Sequence, residues 1–70
     1  MMPLTFAQEE EQRKILKLGG KPEVRQHLAD MGFNVGSDVQ IISKVGDNLI
    51  VKIKETRVAL SKELANKIMV

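Results

Sequence analysis

The sequence predicts a small, mainly β protein. Its short strands form a curled, barrel-like sheet, with one helix after the first strand and short helical turns at both ends. Short stretches of alternating apolar and polar residues fill the second half of the chain, and turn residues separate them. One earlier stretch has the apolar spacing of a helix instead. With 70 residues, 43% of them hydrophobic, the chain has room for one domain over 1–70.

The first elements are a helical turn and a strand. Thr5 and Gln8 have the spacing of a capping box, in which each side chain satisfies the other residue's free backbone N–H, and this predicts a turn over 5–10. Such a turn directs Leu4 and either Phe6 or Ala7 inward. Residues 13–18 alternate imperfectly and stop at two glycines, which favours a strand over a helix.

A helix is predicted over 22–31. Pro22 suits the first helical position because its missing N–H is not needed there. Gly32 supplies the left-handed residue that ends the helix. The residues at positions i, i+4 and i+7 form one apolar stripe: Val24, Leu28 and Met31.

Three short strands follow a turn over 34–37. If the apolar stripes of the first two face one core, Val45 lies opposite Leu49 and Ile41 lies opposite Ile53. That register requires a three-residue loop over 46–48 with Asn48 in the left-handed conformation.

The last strand, over 57–60, turns Val58 and Leu60 inward. Ser61 then has the position of an N-cap for a final helical turn, because its hydroxyl can accept a hydrogen bond from a free backbone N–H. The apolar residues of that turn are Leu64, Ala65 and Ile68.

Composition excludes several classes of protein. The absence of cysteine excludes a disulfide framework and a thiolate metal site, and no apolar run exceeds three residues, so nothing spans a bilayer. Residues 1–12 lack the features of a secretory signal, so a cytoplasmic location and no membrane insertion are expected. The net charge is only +2, and tyrosine and tryptophan are absent, so nucleic acid is not an expected partner.

The chain offers little for catalysis or metal binding. It has one histidine and no nucleophile or phosphate-loop motif, so no catalytic residue, no cofactor site and no enzymatic activity are expected. Glu23, His27 and Asp30 could share one side of the helix, as metal ligands would. An exposed helix face with charge pairs is the alternative that we favour.

One apolar pair lies away from the predicted core. Ile42 and Ile50 are diagonal neighbours in the register above, and Lys44 and Lys52 surround them. An apolar pair with a basic rim predicts a docking patch for a partner protein. The alternative is that a strongly curved barrel buries the pair.

Five short strings stand in order along the chain: Gly19-Gly20, His27-Leu28-Ala29-Asp30-Met31-Gly32-Phe33, Gly36, Val58-Ala59-Leu60-Ser61 and Ala65-Asn66-Lys67-Ile68-Met69-Val70. Their order and spacing closely resemble the ferrous iron transport protein A family, FeoA, over nearly the whole chain. Three positions depart from the family pattern. His27 stands where arginine is common, and Val35-Gly36 and Glu9-Glu10 each replace a Pro-Gly turn.

The resemblance implies an SH3-like barrel that acts in bacterial ferrous iron uptake. It implies a cytoplasmic accessory protein that binds the FeoB-type GTP-binding permease on its cytosolic side and supports its assembly or activity without catalysing a reaction. Two alternatives stay open: a free-standing barrel related to the C-terminal domain of metal-dependent repressors, and a nucleic-acid-binding barrel. Self-association into a homo-oligomer also stays open.

Overall fold

The computed structural model describes all 70 residues. A 3₁₀ turn at Leu4–Phe6 is followed by six strands and two helices. In chain order they are β1 (Gln12–Lys14), β2 (Lys17–Leu18), α1 (Pro22–Asp30), β3 (Asp38–Val45), β4 (Asn48–Ile53), β5 (Thr56–Ser61), α2 (Lys62–Ala65) and β6 (Ile68–Met69). The predicted order of turn, strand, helix, three strands and terminal helical turn is confirmed, and a short strand follows that last turn.

The strands form two antiparallel sheets. The larger has the order β1-β3-β4-β5, and the smaller pairs β2 with β6. The N-terminal residues extend the smaller sheet, because Pro3 bridges to Met69 and the main chains of Met2 and Val70 exchange hydrogen bonds of 2.9 and 2.8 Å. The single predicted strand over 13–18 is thereby divided between the two sheets at Ile15-Leu16.

The two sheets and the helices enclose one apolar core. Its fourteen buried residues contain no polar or charged side chain. They are Leu4, Ala7, Ile15, Leu28, Phe33, Val39, Ile41, Leu49, Val51, Ile53, Leu60, Ala65, Ile68 and Val70. The core draws on every strand except the short β1 and β2, so its formation requires that both halves of the chain fold together.

Helix α1 ends one residue earlier than predicted, with Met31 as its C-cap. Leu28 is buried, and Val24 and Met31 pack against the core, so the predicted apolar stripe is confirmed. Gly32 has a φ of 103°, which its lack of a Cβ permits. The N-cap role of Ser61 is confirmed as well, because its Oγ accepts the N–H of Leu64 at 3.2 Å.

The predicted β3–β4 register is wrong. A two-residue loop, Gly46-Asp47, joins the strands, and Val45 lies opposite Asn48. Ile41 lies opposite Val51, because a β-bulge at Ile42 inserts one extra residue into β3. Val45 is therefore displaced from the core and is 57% exposed.

The predicted capping box is also wrong. Pro3 is the N-cap of the 3₁₀ turn and makes no side-chain capping bond. The Thr5 hydroxyl lies 2.6 Å from Oδ1 of Asn66, just beyond α2, and so joins the two ends of the chain. Leu4 and Ala7 are buried, whereas Phe6 is 71% exposed.

Candidate docking surface

The outer face of the larger sheet has a cross-strand row at its centre with Ile50 in the middle. In an antiparallel ladder, directly opposed residues point to the same face. Ile50 on β4 lies opposite Ser43 on β3 and Ala59 on β5. Because Leu49 and Val51 on either side of it are buried, Ile50 and its row point outward.

Ile42 adjoins this row, since it follows the buried Ile41 and precedes Ser43 at the bulge. Ile42 and Ile50 are each partly exposed, so the barrel does not bury them. Lys52, two residues along β4, is exposed and points to the same face. Three of the four residues predicted for docking thus share one face.

Lys44 lies elsewhere. It is opposite Leu49, which is buried, so Lys44 belongs to the core-facing side of the ladder, near the turn of the hairpin. Its Nζ donates to the backbone oxygen of Thr5 at 3.2 Å. The prediction that Lys44 shares the outer face is wrong, because the bulge shifts the alternation of β3 by one residue.

An acidic turn borders one side of this face. The N–H of Glu10 donates to the Ile41 carbonyl at 2.7 Å, and Nε2 of Gln40 donates to the Glu10 carbonyl at 2.8 Å. Glu10 has a φ of 69°, which is uncommon for a residue with a side chain. The turn over 9–11 therefore lies alongside β3 and bounds the outer face on that side, and β5 bounds it on the opposite side.

Two basic residues on this face have no acidic partner. Lys52 and Arg57 lie directly opposite each other on β4 and β5, and both are exposed. The ion pairs of the chain are elsewhere: Arg13 with Glu11, and Lys14 with Asp38 at 3.7 Å. Opposed like charges destabilise a ladder. The same two positive charges, which no carboxylate neutralises, also make the surface potential beside β5 positive.

A groove of about 430 Å³ lies next to this pair, between β1, β3 and the β4–β5 turn. Its lining has one hydrophobic residue and includes Gln12, Gln40, Lys52 and Lys54. Two carboxylates, of Asp38 and Glu55, line it as well. Because both signs of charge are present, the groove shows no preference for an anion or a cation.

The three candidate metal ligands all lie on α1 and are exposed. The Asp30 carboxylate accepts a hydrogen bond from Nε2 of Gln26 at 2.8 Å. No group of three His, Cys, Asp or Glu side chains in the structure could hold a metal ion. Glu23, His27 and Asp30 therefore form no ligand cluster in this structure.

Two residues of the outer face were missed in the sequence analysis. Arg57 and Ala59 extend the surface across β5. Their alternation with the inward residues Val58 and Leu60 is a signal that could have placed them.

No helix in the structure has both the length and the apolar character needed to cross a membrane.

The fold, a barrel of two small antiparallel sheets with one helix after the first strands, is of the SH3-like class. A solved structure of FeoA from Stenotrophomonas maltophilia, described as a prokaryotic SH3 domain protein, superposes with a TM-score of 0.85 at 21% identity. The superposition covers 99% of this chain and 88% of that chain. A manganese-dependent transcriptional repressor also superposes, with a TM-score of 0.85, 16% identity and coverage of 94% and 38%. At these identities the likeness shows the fold alone.

The FeoA domain matches residues 2–70, and the chain therefore belongs to the FeoA family. The chain is 36% identical over 70 residues to Fe(2+) transport protein A of Methanocaldococcus jannaschii. The aligned region covers 100% of this chain and 85% of that protein. The family supports a role in ferrous iron transport and is not a known enzyme family. The resemblance and the predicted fold class are confirmed.

Proposed function

We propose that this chain is a cytoplasmic accessory protein of ferrous iron uptake, acting as a single domain over 1–70, which binds the FeoB-type permease on its cytosolic side. The match of the FeoA domain to residues 2–70 carries the proposal. The partly exposed apolar pair on the outer face, Ile42 and Ile50, supports it, because exposed apolar patches are typical of contact sites. Ile42, Ile50 and Lys52 make the contact.

The mechanism is a shift of population. A subunit that binds one arrangement of the permease more tightly than another favours that arrangement by the difference in binding free energy. Such a subunit needs a rigid surface and no reacting groups. Strand β4, which carries Ile50 and Lys52, is paired on both sides within the larger sheet, which supplies that rigidity.

Copurification with the detergent-solubilised permease tests this function. Replacing both Ile42 and Ile50 with Asp should reduce copurification at least tenfold, because charges would be placed at the centre of an apolar contact. The control is Val35→Asp, which alters an apolar side chain that is 63% exposed and lies outside the patch. It should copurify as the unaltered chain does.

Both isoleucines are partly buried, so the double variant could lose its fold. Lys52→Glu avoids this difficulty, because Lys52 is exposed and its replacement removes no core contact. This variant should weaken copurification and reverse its dependence on salt. Unaltered copurification of both variants would rule out the patch, and no binding by the unaltered chain would rule out the function.

A further inference from the structure

Strand β5 has an open edge. It pairs only with β4, which makes it the last strand of the larger sheet. The two-residue loop Lys54-Glu55 closes the hairpin at Ile53 and Thr56, so these residues exchange hydrogen bonds, and so do alternate pairs beyond them. The residues between them, Arg57 and Ala59, turn their N–H and C=O groups away from β4.

No group in the protein satisfies these main-chain atoms. Neither Arg57 nor Ala59 takes part in the turn, loop and capping hydrogen bonds of the main chain or in any side-chain hydrogen bond. Both residues are exposed. Two donors and two acceptors are thus arranged along an extended strand, as main-chain pairing with another strand requires.

The charges beside the edge indicate what kind of strand it accepts. Arg57 and its cross-strand neighbour Lys52 are unneutralised like charges on the outer face. On the inner face Val58 is only partly buried, although it packs against the core. An added strand would therefore place one row of side chains beside Arg57, with Lys52 one strand further from the edge, and the alternate row beside Val58.

We infer that β5 binds an extended acidic segment of a partner protein by strand addition, with acidic side chains beside Arg57 and apolar ones beside Val58. A second copy of the chain is a poor occupant, because it would bring another Arg57 and Lys52 to the same edge. The inference does not depend on the identity of the permease as partner.

Amide NMR spectra of the isotope-labelled chain test the inference with two capped octapeptides. One alternates Glu with Val and the other alternates Lys with Val. The acidic peptide should give saturable shifts at the amides of Arg57 and Ala59 and should slow their exchange with solvent, because they become hydrogen-bonded. The basic peptide should do neither.

Two variants separate main-chain pairing from charge attraction. Ala59→Pro removes an outward N–H at an edge position where proline is tolerated, and it should weaken binding about tenfold through the lost hydrogen bond. Ala59→Ser keeps the N–H and should bind as the unaltered chain does. Arg57→Glu should remove the preference for the acidic peptide.

Three results would overturn the inference: no shift at β5 with the acidic peptide, equal shifts with both peptides, or equal binding by the proline and serine variants. Shifts at β5 that depend on the concentration of the chain without peptide would also overturn it, since they would show that a second copy occupies the edge. None of these results bears on copurification with the permease, so a failure here is distinct from a failure of the proposed function.

Discussion

The two hairpins that share β4 differ in their ladders and agree in their turns. The β4–β5 ladder runs without interruption from Asn48–Ser61 to Ile53–Thr56, whereas the β3–β4 ladder shifts by one residue at Ile42. Each turn has two residues, and the first has a φ of 57° in one hairpin and 56° in the other. That residue is Gly46 in the first hairpin and Lys54 in the second.

The difference teaches where side-chain alternation can be trusted. In the uninterrupted ladder the faces follow a period of two, so Leu49 faces Leu60 and both are buried. In the bulged ladder the same Leu49 faces Lys44, which is exposed. One extra residue thus gives the two neighbours of Leu49 opposite environments.

The largest predicted effect follows from this contrast. Leu60→Ala should lower the free energy of unfolding by about 2–5 kcal/mol, because it opens a cavity beside Leu49. Lys44→Ala, on the other side of Leu49, should cost less than about 0.5 kcal/mol, because Lys44 is exposed and makes one hydrogen bond at the surface. Urea denaturation measures both values.

Leu60→Met is the control for the cavity. It keeps most of the side-chain volume and should cost less than about 1.5 kcal/mol. Costs of similar size for the alanine variants at 44 and 60 would contradict the register and place Lys44 in the core.

The second prediction exchanges the residues of the two turns. A positive φ at only the first loop residue is the pattern of a type II′ turn, which favours glycine there. Gly46→Lys should cost about 1–2 kcal/mol, and the cost is conformational, because a Cβ at Gly46 would meet nothing within 4 Å. Lys54→Gly should stabilise the chain by about 0.5 kcal/mol, since relief of strain exceeds the added backbone entropy.

Asp47→Lys is the control for the added charge, because Asp47 is the neighbouring loop residue and does not have a positive φ. It should change the free energy of unfolding by less than about 0.5 kcal/mol. Changes of the same sign at positions 46 and 54 would show that the two turns do not share one conformation.

Local signals in the sequence predict the elements better than they predict the pairing between them. Helix α1 is found to within one residue, because Pro22, the apolar stripe and Gly32 are all local signals. The bulge at Ile42 has no such signal, because Ser43 and Val45 keep the apparent alternation. The pairing of β3 with both β1 and β4 decides which residue of β3 forms the bulge.

The N-terminal capping box failed for a similar reason. Thr5 and Gln8 have the correct spacing, but the Thr5 hydroxyl contacts Asn66, which is 61 residues away in the sequence. A local motif of two residues cannot anticipate such a contact. The same limit applies to the docking surface. Alternation alone places Ile42, Ile50 and Lys52 on the outer face correctly, but it misplaces Lys44, because the bulge turns that residue to the other face.

The smallest predicted effect concerns the two cations on β4 and β5. Arg57→Glu should stabilise the isolated chain by about 0.2–1 kcal/mol at low salt, because a cross-strand pair of opposite charges replaces two like charges. The gain should shrink as salt is added. Arg57→Gln removes the repulsion without supplying the attraction, so it should give about half of the gain.

The sign of this change separates a role in folding from a role in binding. If Arg57 serves only the fold, its replacement by Glu should lower stability or leave it unchanged. If it serves an added acidic strand, the variant should be more stable as an isolated chain and should bind the Glu-Val peptide less tightly. The reason is that the positive charge of Arg57 repels Lys52 within the hairpin and attracts the acidic side chains of the partner. A variant that is less stable than the unaltered chain, with unchanged salt dependence, would show that Arg57 and Lys52 do not repel each other.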